Sequence, residues 1–132
     1  MSTLRNIGEC ALIERLTRGL PTRPDVRIGP GDDAAVVRSP GARYDLVLKS
    51  DAVVEGVHFT ARAEPALVGH KAVARVLSDF AAMGAEPQHL LVDLVAPPRI
   101  AVKRVEGVYA GLAETARRWK LSVAGGETVS GP

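Results

Sequence analysis

Apolar positions along the chain follow two periods. Between Glu9 and Leu20 they stand at Leu12, Ile13, Leu16 and Leu20, the stripe of a short amphipathic helix that Gly19 and Pro21 help to end. A stretch rich in Pro and Gly runs from Pro24 to Gly31. Two β-like runs, Ala34 to Arg38 and Tyr44 to Ser50, flank a Ser39-Pro40-Gly41 turn, so the pattern predicts a hairpin. From Pro65 to Met83 the helical period returns, with Val73, Val76, Leu77, Phe80 and Met83 on one stripe and Gly84 as its stop. His89 to Ala96 is apolar except for Asp93 and is bounded by prolines, which suits a buried strand. A second long helix fits Ala101 to Lys120. It turns Val105, Val108, Leu112 and Ala116 inward and Arg104, Glu114, Arg117 and Arg118 outward, with Glu114 and Arg118 spaced for an i, i+4 pair. Leu121 to Ala124 reads as one more short strand before Gly125-Gly126.

Helices of this length between strands predict an α+β domain, a small mixed β-sheet with helices on one face. The 132 residues have the size of a single domain, residues 1–132, and show no internal repeat or low-complexity linker. With 46% hydrophobic and 24% charged residues the balance is that of a soluble globular protein. No apolar run approaches the ~20 residues that cross a bilayer, and Met1 to Arg5 lacks the build of a secretory signal, so no membrane is expected and the cytoplasm is the expected location. A net charge of +2 from 17 basic and 15 acidic residues is too even to argue for nucleic acid, and 4% aromatics leave few stacking platforms. Cys10, beside Ala11, Leu12 and Ile13, and Trp119, near the end of the last helix, are expected in the core. His70 and His89 read as surface or packing residues.

The carboxylates carry the candidate chemistry. Each has a local explanation: Gly31-Asp32-Asp33 is a turn signal, Asp51 ends a strand, and Asp79 has Arg75 at i−4 to pair with. Together, however, they fall where elements meet. Asp32 and Asp33 precede one strand, Asp51 ends its neighbour, and Glu127 follows another behind two glycines. Carboxylates brought together repel unless a cation neutralises them, and magnesium, a hard ion that binds one or two carboxylates plus substrate phosphates, is the natural one. Gly125-Gly126 would let a phosphate approach the backbone. There is no Gly-x-x-x-x-Gly-Lys-Ser/Thr loop, which argues against a P-loop nucleotide site.

Four motifs in order carry a family resemblance: Gly-Asp-Asp-Ala-Ala (31–35), Ser-Asp-Ala-Val-Val-Glu-Gly-Val-His-Phe (50–59), Leu-Ser-Asp-Phe-Ala-Ala-Met-Gly-Ala-Glu-Pro (77–87) and Gly-Gly-Glu-Thr (125–128). In sequence and spacing the chain resembles thiamine-monophosphate kinases, members of the superfamily of aminoimidazole ribonucleotide synthetase, selenophosphate synthetase and a hydrogenase maturation protein. The resemblance covers essentially the whole chain. It implies the N-terminal domain of the aminoimidazole ribonucleotide synthetase-like fold and the ATP-dependent phosphorylation of thiamine monophosphate to thiamine diphosphate. It further implies that Asp33, Ser50, Asp51, Asp79 and Glu127 are magnesium ligands, that His58 contacts the thiamine phosphate, and that Gly126 and Glu127 lie where ATP binds. No phosphoenzyme is required, since phosphoryl transfer is mainly positioning and charge compensation. Kinases of this family continue through a second α/β domain and dimerise through their N-terminal domains, so these residues are expected to be a half-site and a homodimer. His58 also has a simpler reading, a strand-end histidine that packs or bonds a nearby carbonyl.

Three positions depart from the kinase pattern. Glu127 stands where the kinases most often carry Asp, and Gly-Gly-Glu-Thr is instead similar to aminoimidazole ribonucleotide synthetase. Lys49 falls where a small polar residue often lies beside the metal, and Val76 where Asn is frequent. These changes bear on the number of metals, and keep two alternatives open: a cyclo-ligase domain, and a non-catalytic dimerisation module.

Overall fold

The structure, a computed structural model, describes residues 4–132. The described residues divide into two compact units, one ending at Ser50 and the other running from Asp51 to Pro132.

The first unit holds helices α1 (Leu4–Ile7) and α2 (Glu9–Thr17) and strands β1 (Val26–Ile28), β2 (Ala35–Val37) and β3 (Leu46–Leu48). The strands form an antiparallel sheet in the order β1-β2-β3. β2 and β3 are the expected hairpin, in register Ala35↔Leu48, Val36↔Val47 and Val37↔Leu46. Gly41 takes the left-handed conformation of its turn, at φ +77°. Arg38 and Asp45 close the mouth of the hairpin with a two-pronged ion pair, and the hydrogen bond to Asp45 raises the Arg38 pKa. β1 falls in the segment that reads as Pro- and Gly-rich connection; its Val26 and Ile28 are half-buried against β2.

Two expectations fail in this unit. α2 is three residues shorter than its apolar stripe and buries no side chain, leaving Leu16 65% and Leu20 58% exposed. Cys10 is exposed rather than part of the core. The reason is a missing partner: within the unit α2 packs against α1, a single turn too short to cover a stripe.

The second unit contains α3 (Pro65–Ala82), β4 (His89–Leu91), β5 (Leu94–Ala96), α4 (Val102–Arg118), β6 (Ser122–Gly125) and β7 (Thr128–Ser130). Helix α3 starts on a side-chain cap, the Glu64 carboxylate accepting the Leu67 N–H at 3.0 Å, with Pro65 in the first turn where its missing N–H costs nothing. β4 pairs with β6 and β5 with β7, both in parallel, and α4 makes the crossover. The helices cover one face of the β4–β6 pair. Val73 of α3, Leu112 and Ala116 of α4, Leu90 of β4 and Leu121 form one buried cluster, with Leu77 and Val92 packed on it. The α+β class thus stands; the strands expected in one small mixed sheet form three small sheets among the described residues, antiparallel in the first unit and parallel in the second.

Glycines bring α3 and α4 together. A Cβ at Gly69 would lie 1.9 Å from the Val108 carbonyl oxygen, and one at Gly111 1.9 Å from that of Ala66. Thr115, buried between the helices, donates its hydroxyl to Gly111 O at 2.8 Å and meets His70 Nδ1 at 3.0 Å. Both long helices end in the same motif. At α3 Gly84 N–H bonds to Ala81 O and Ala85 N–H to Phe80 O; at α4 Lys120 N–H bonds to Arg117 O and Leu121 N–H to Ala116 O. The left-handed residue is Gly84 in one and Lys120, at φ +57°, in the other.

This second ending displaces Trp119. It caps α4 and is 54% exposed, not a core anchor, because the turn sends Leu121 inward to take that place. The expected strand from His89 to Ala96 is two strands separated at Val92-Asp93. Only its Leu90 is buried, and Leu91 is 76% exposed, since a two-stranded ribbon covered on one face leaves alternate side chains bare. Glu114 and Arg118 form no ion pair.

Candidate functional site

On α3 the charged residues Lys71, Arg75 and Asp79 recur at intervals of four, which stacks them along one side of the helix. Two of them hold the segment that precedes the helix. Arg75 Nε donates to Asp51 Oδ2 at 2.8 Å and Arg75 Nη2 to Asp51 Oδ1 at 3.0 Å, a two-pronged fork. Asp51 Oδ1 also accepts the Ala52 N–H at 2.8 Å. The hydrogen bond to Asp51 raises the Arg75 pKa; partial burial opposes it, and the charges of Asp51 and Asp79 add to it. Sequence spacing pairs Arg75 with Asp79, but its fork goes to Asp51, with Asp79 acting on it through charge.

Lys71, one turn earlier, donates to the His58 carbonyl. The loop that carries His58 is a knot of local bonds: the N–H groups of Val57 and His58 both reach Val54 O, and Gly56 N–H reaches Phe59 O at 2.8 Å. Gly56 makes the bend possible at φ +80°. Val54 N–H in turn donates to His58 Nδ1 at 3.0 Å. A ring nitrogen that accepts carries no proton, so the neutral imidazole bears its proton on Nε2. The simpler reading of His58 needs correcting in its partner: the ring bonds to nearby backbone, but it accepts from an N–H where a carbonyl was expected. The same bond defines His58 as a donor through Nε2.

Gly125 to Thr128 joins β6 to β7. A Cβ at Gly126, whose φ is +150°, would lie 2.0 Å from the Val92 carbonyl oxygen, so this position admits only glycine. Val92, Tyr109, Val123 and residues 124–128 line an open pocket of about 390 Å³. Glu127 is exposed at this pocket and turns Oε1 onto the Thr128 N–H at 2.8 Å.

The remaining expected ligands belong to the first unit. Asp33 is exposed just before β2, its N–H bonded to Asp32 Oδ1 at 2.8 Å, which is the turn its sequence signals. Ser50 is exposed at the end of that unit. Within the second unit the structure brings Asp51 to the Arg75 and Asp79 side of α3, whereas Glu127 lies at the pocket beside β7. Among the described residues no three His, Cys, Asp or Glu side chains gather as a metal cage. The roles of Lys71 and Arg75 escape the motif reading; the four-residue spacing of Lys71, Arg75 and Asp79 is the signal that points to them.

Comparison with known proteins follows the same residues. The family model described as AIR synthase related protein, N-terminal domain, matches residues 31–132. The thiamine-monophosphate kinase of Mycobacterium tuberculosis (strain ATCC 25618 / H37Rv) is 36% identical over 129 residues, 97% of this chain and 38% of the relative. That of Escherichia coli (strain K12) is 36% identical over 126 residues, 95% and 38%. The Caulobacter vibrioides enzyme is 42% identical over 124 residues, 92% and 34%. Among solved structures, AaThiL complexed with AMPPCP and TMP matches with a TM-score of 0.88 at 31% identity, covering 100% of this chain and 40% of that one. The protein tt0281 from Thermus thermophilus matches at 0.85 and 31% identity, covering 98% and 41%. The chain therefore spans well under half the length of the relatives it matches.

Proposed function

The chain belongs to the AIR synthase related proteins, whose N-terminal domain it matches, and we propose that it supplies the N-terminal half-site for ATP-dependent phosphorylation of thiamine monophosphate to thiamine diphosphate. The observation that carries this reading is the likeness, over 100% of the chain, to AaThiL, a protein solved with AMPPCP and TMP. The named kinases at about one-third identity support it.

In this reading Asp33, Ser50, Asp51, Asp79 and Glu127 would hold magnesium. Their donors are all hard oxygens, and the Arg75 guanidinium, forked onto Asp51 and feeling the charge of Asp79, marks a place where the fold already answers negative charge with positive. When bound, the metal would offset phosphate charge during transfer. The chain's own groups position the reactants. His58 offers its Nε2–H to the phosphate of thiamine monophosphate, held at that tautomer by Val54 and at that place by Lys71. Gly125 and Gly126 leave the backbone beside the open pocket bare for the phosphates of ATP, with Glu127 next to them. Transfer in line needs both phosphates held together, so the rest of the length that the kinases possess belongs to the working enzyme.

The reading also makes the protein a cytoplasmic homodimer. Bare apolar strand positions support pairing: Leu46 and Leu48 on the edge strand β3 and, in the second unit, Val95 and Val129 are all about half-exposed or more. Light scattering at tens of micromolar should give a dimer mass; a stable monomer would oppose it. No helix among the described residues is long and apolar enough to cross a membrane.

The test is chromatographic detection of thiamine diphosphate made by this chain together with the C-terminal portion of a related kinase. Asp51→Asn should abolish product while nearly keeping side-chain shape, and full activity in that variant would refute the ligand assignment. Glu127→Asp should keep or improve it. The Gly-Gly-Glu-Thr motif favours a second reading, the purine-pathway cyclo-ligase, which gains if neither Glu127 version forms product.

A further inference from the structure

One guanidinium engages both oxygens of Asp51. Oδ2 takes the Nε–H of Arg75 at 2.8 Å; Oδ1 takes Nη2–H at 3.0 Å and the Ala52 N–H at 2.8 Å. The two side chains are 38% and 19% exposed, so solvent screens the pair only in part. The parts are unequal in stiffness. Arg75 rises from the middle of an 18-residue capped helix, whereas Asp51 stands outside any helix or strand, ahead of the locally bonded loop of His58. The helix thus dictates where the carboxylate sits. Arg75 also feels the charge of Asp79, one turn further along α3, so a full positive charge stands against two of the carboxylates assigned to the metal.

A divalent cation arriving at Asp51 must share the carboxylate with the fork that orients it, and it meets a like charge beside it. We propose that Arg75 is a built-in competitor for the cation position at Asp51: it orients the carboxylate while no metal is bound and lowers the affinity for magnesium. The inference rests on the reading of Asp51 as a magnesium ligand. Its consequence is an ordering. Bare magnesium is a weak competitor against a two-pronged guanidinium, whereas magnesium carried on a nucleotide brings phosphate oxygens that supply most of its ligands and a new partner for the displaced arginine. Arg75 would thereby favour entry of metal with nucleotide over metal alone.

The experiment is calorimetric titration of the chain with magnesium chloride in the absence of nucleotide, on the wild type, Arg75→Gln, Arg75→Lys and Asp51→Asn. Circular dichroism establishes that each variant is folded. Arg75→Gln, which removes both charge and fork, should tighten magnesium binding about two- to fivefold, the factor that a partly exposed ion pair is worth. Arg75→Lys keeps the charge and loses the fork, and should fall between; a purely structural arginine would give no such graded order. Asp51→Asn should weaken binding. If Asp51→Asn weakens binding but Arg75→Gln leaves it unchanged or weaker, the competition is refuted and the ligand assignment survives. If Asp51→Asn changes nothing, or no folded variant binds at millimolar magnesium, the ligand assignment falls and the inference with it.

Discussion

Replacing Gly69 by Ala places a methyl group where α3 and α4 have no room. Its Cβ would lie 1.9 Å from Val108 O and 2.6 Å from Leu112 N, both backbone atoms that no rotamer can move. Carbon–oxygen contacts settle at roughly 3.3–3.6 Å, so the helices must part or slide by more than about 1 Å. A gap of that size forfeits about a quarter to a half of the dispersion energy of the atoms it separates. Here those atoms include the cluster of Val73, Leu112 and Ala116. Overpacking of this kind costs about 1–3 kcal/mol, and a clash against backbone belongs at the upper end. Ala is the better helix former by about 1 kcal/mol, which leaves a net loss of about 2 kcal/mol. Urea unfolding followed by far-ultraviolet circular dichroism reads α3 and α4 directly, and the midpoint should fall by about 1 M. Gly107→Ala is the control. Its Cβ would meet the rigid Pro65 ring at 2.8 Å, a single milder overlap with no backbone atom, so it should cost less than Gly69→Ala. A Gly69→Ala midpoint equal to or above that of the wild type, at unchanged slope, would refute the account of how the helices meet.

Three further outcomes are expected. Lys120→Gly should stabilise the chain by about 0.5–1 kcal/mol in the same assay, because Lys120 occupies at φ +57° the left-handed position that Gly84 fills in the matching turn of α3. Thr115→Val removes the hydroxyl shared by Gly111 O and His70 Nδ1 and should cost about 1–2 kcal/mol. Millimolar magnesium should raise the melting temperature relative to chelator, as any ligand that binds only the folded state must; Asp79→Asn should remove most of that rise, while Asp45→Asn, which breaks only the Arg38 pair of the hairpin, should preserve it.

What the sequence made legible follows from which forces act locally. α3 and α4 came through within two residues at each end because their apolar stripes are long and meet a real partner, and because Pro65 and Gly84 mark the ends of α3 by local sterics. The hairpin of β2 and β3 was legible for the same reason, from its turn. α2 shows the limit. Its stripe is as regular as the others, yet burial depends on what lies opposite, and no periodicity encodes that. β1 and β7 went unread because three-residue strands carry too little pattern, and Trp119 was misplaced because a left-handed lysine redirects the chain one residue before Leu121. At the candidate site the motifs drew attention to Asp51, Asp79 and His58, but not to Lys71 and Arg75, which act on them. Arg75 was assigned to the carboxylate nearest along the helix; the one it engages lies 24 residues away in sequence. Which of two carboxylates a guanidinium selects is a matter of tertiary geometry.

The central claim is that these residues form one half of a phosphoryl-transfer site. It is tested most directly by the rate of thiamine diphosphate formation from ATP and thiamine monophosphate, followed as the C-terminal portion of a related kinase is titrated into a fixed amount of this chain. The account predicts no turnover from the chain alone and a rate that rises to saturation at equal amounts of the two parts. Sustained product from the 132-residue chain by itself, or none at any ratio when both parts are folded, would contradict it.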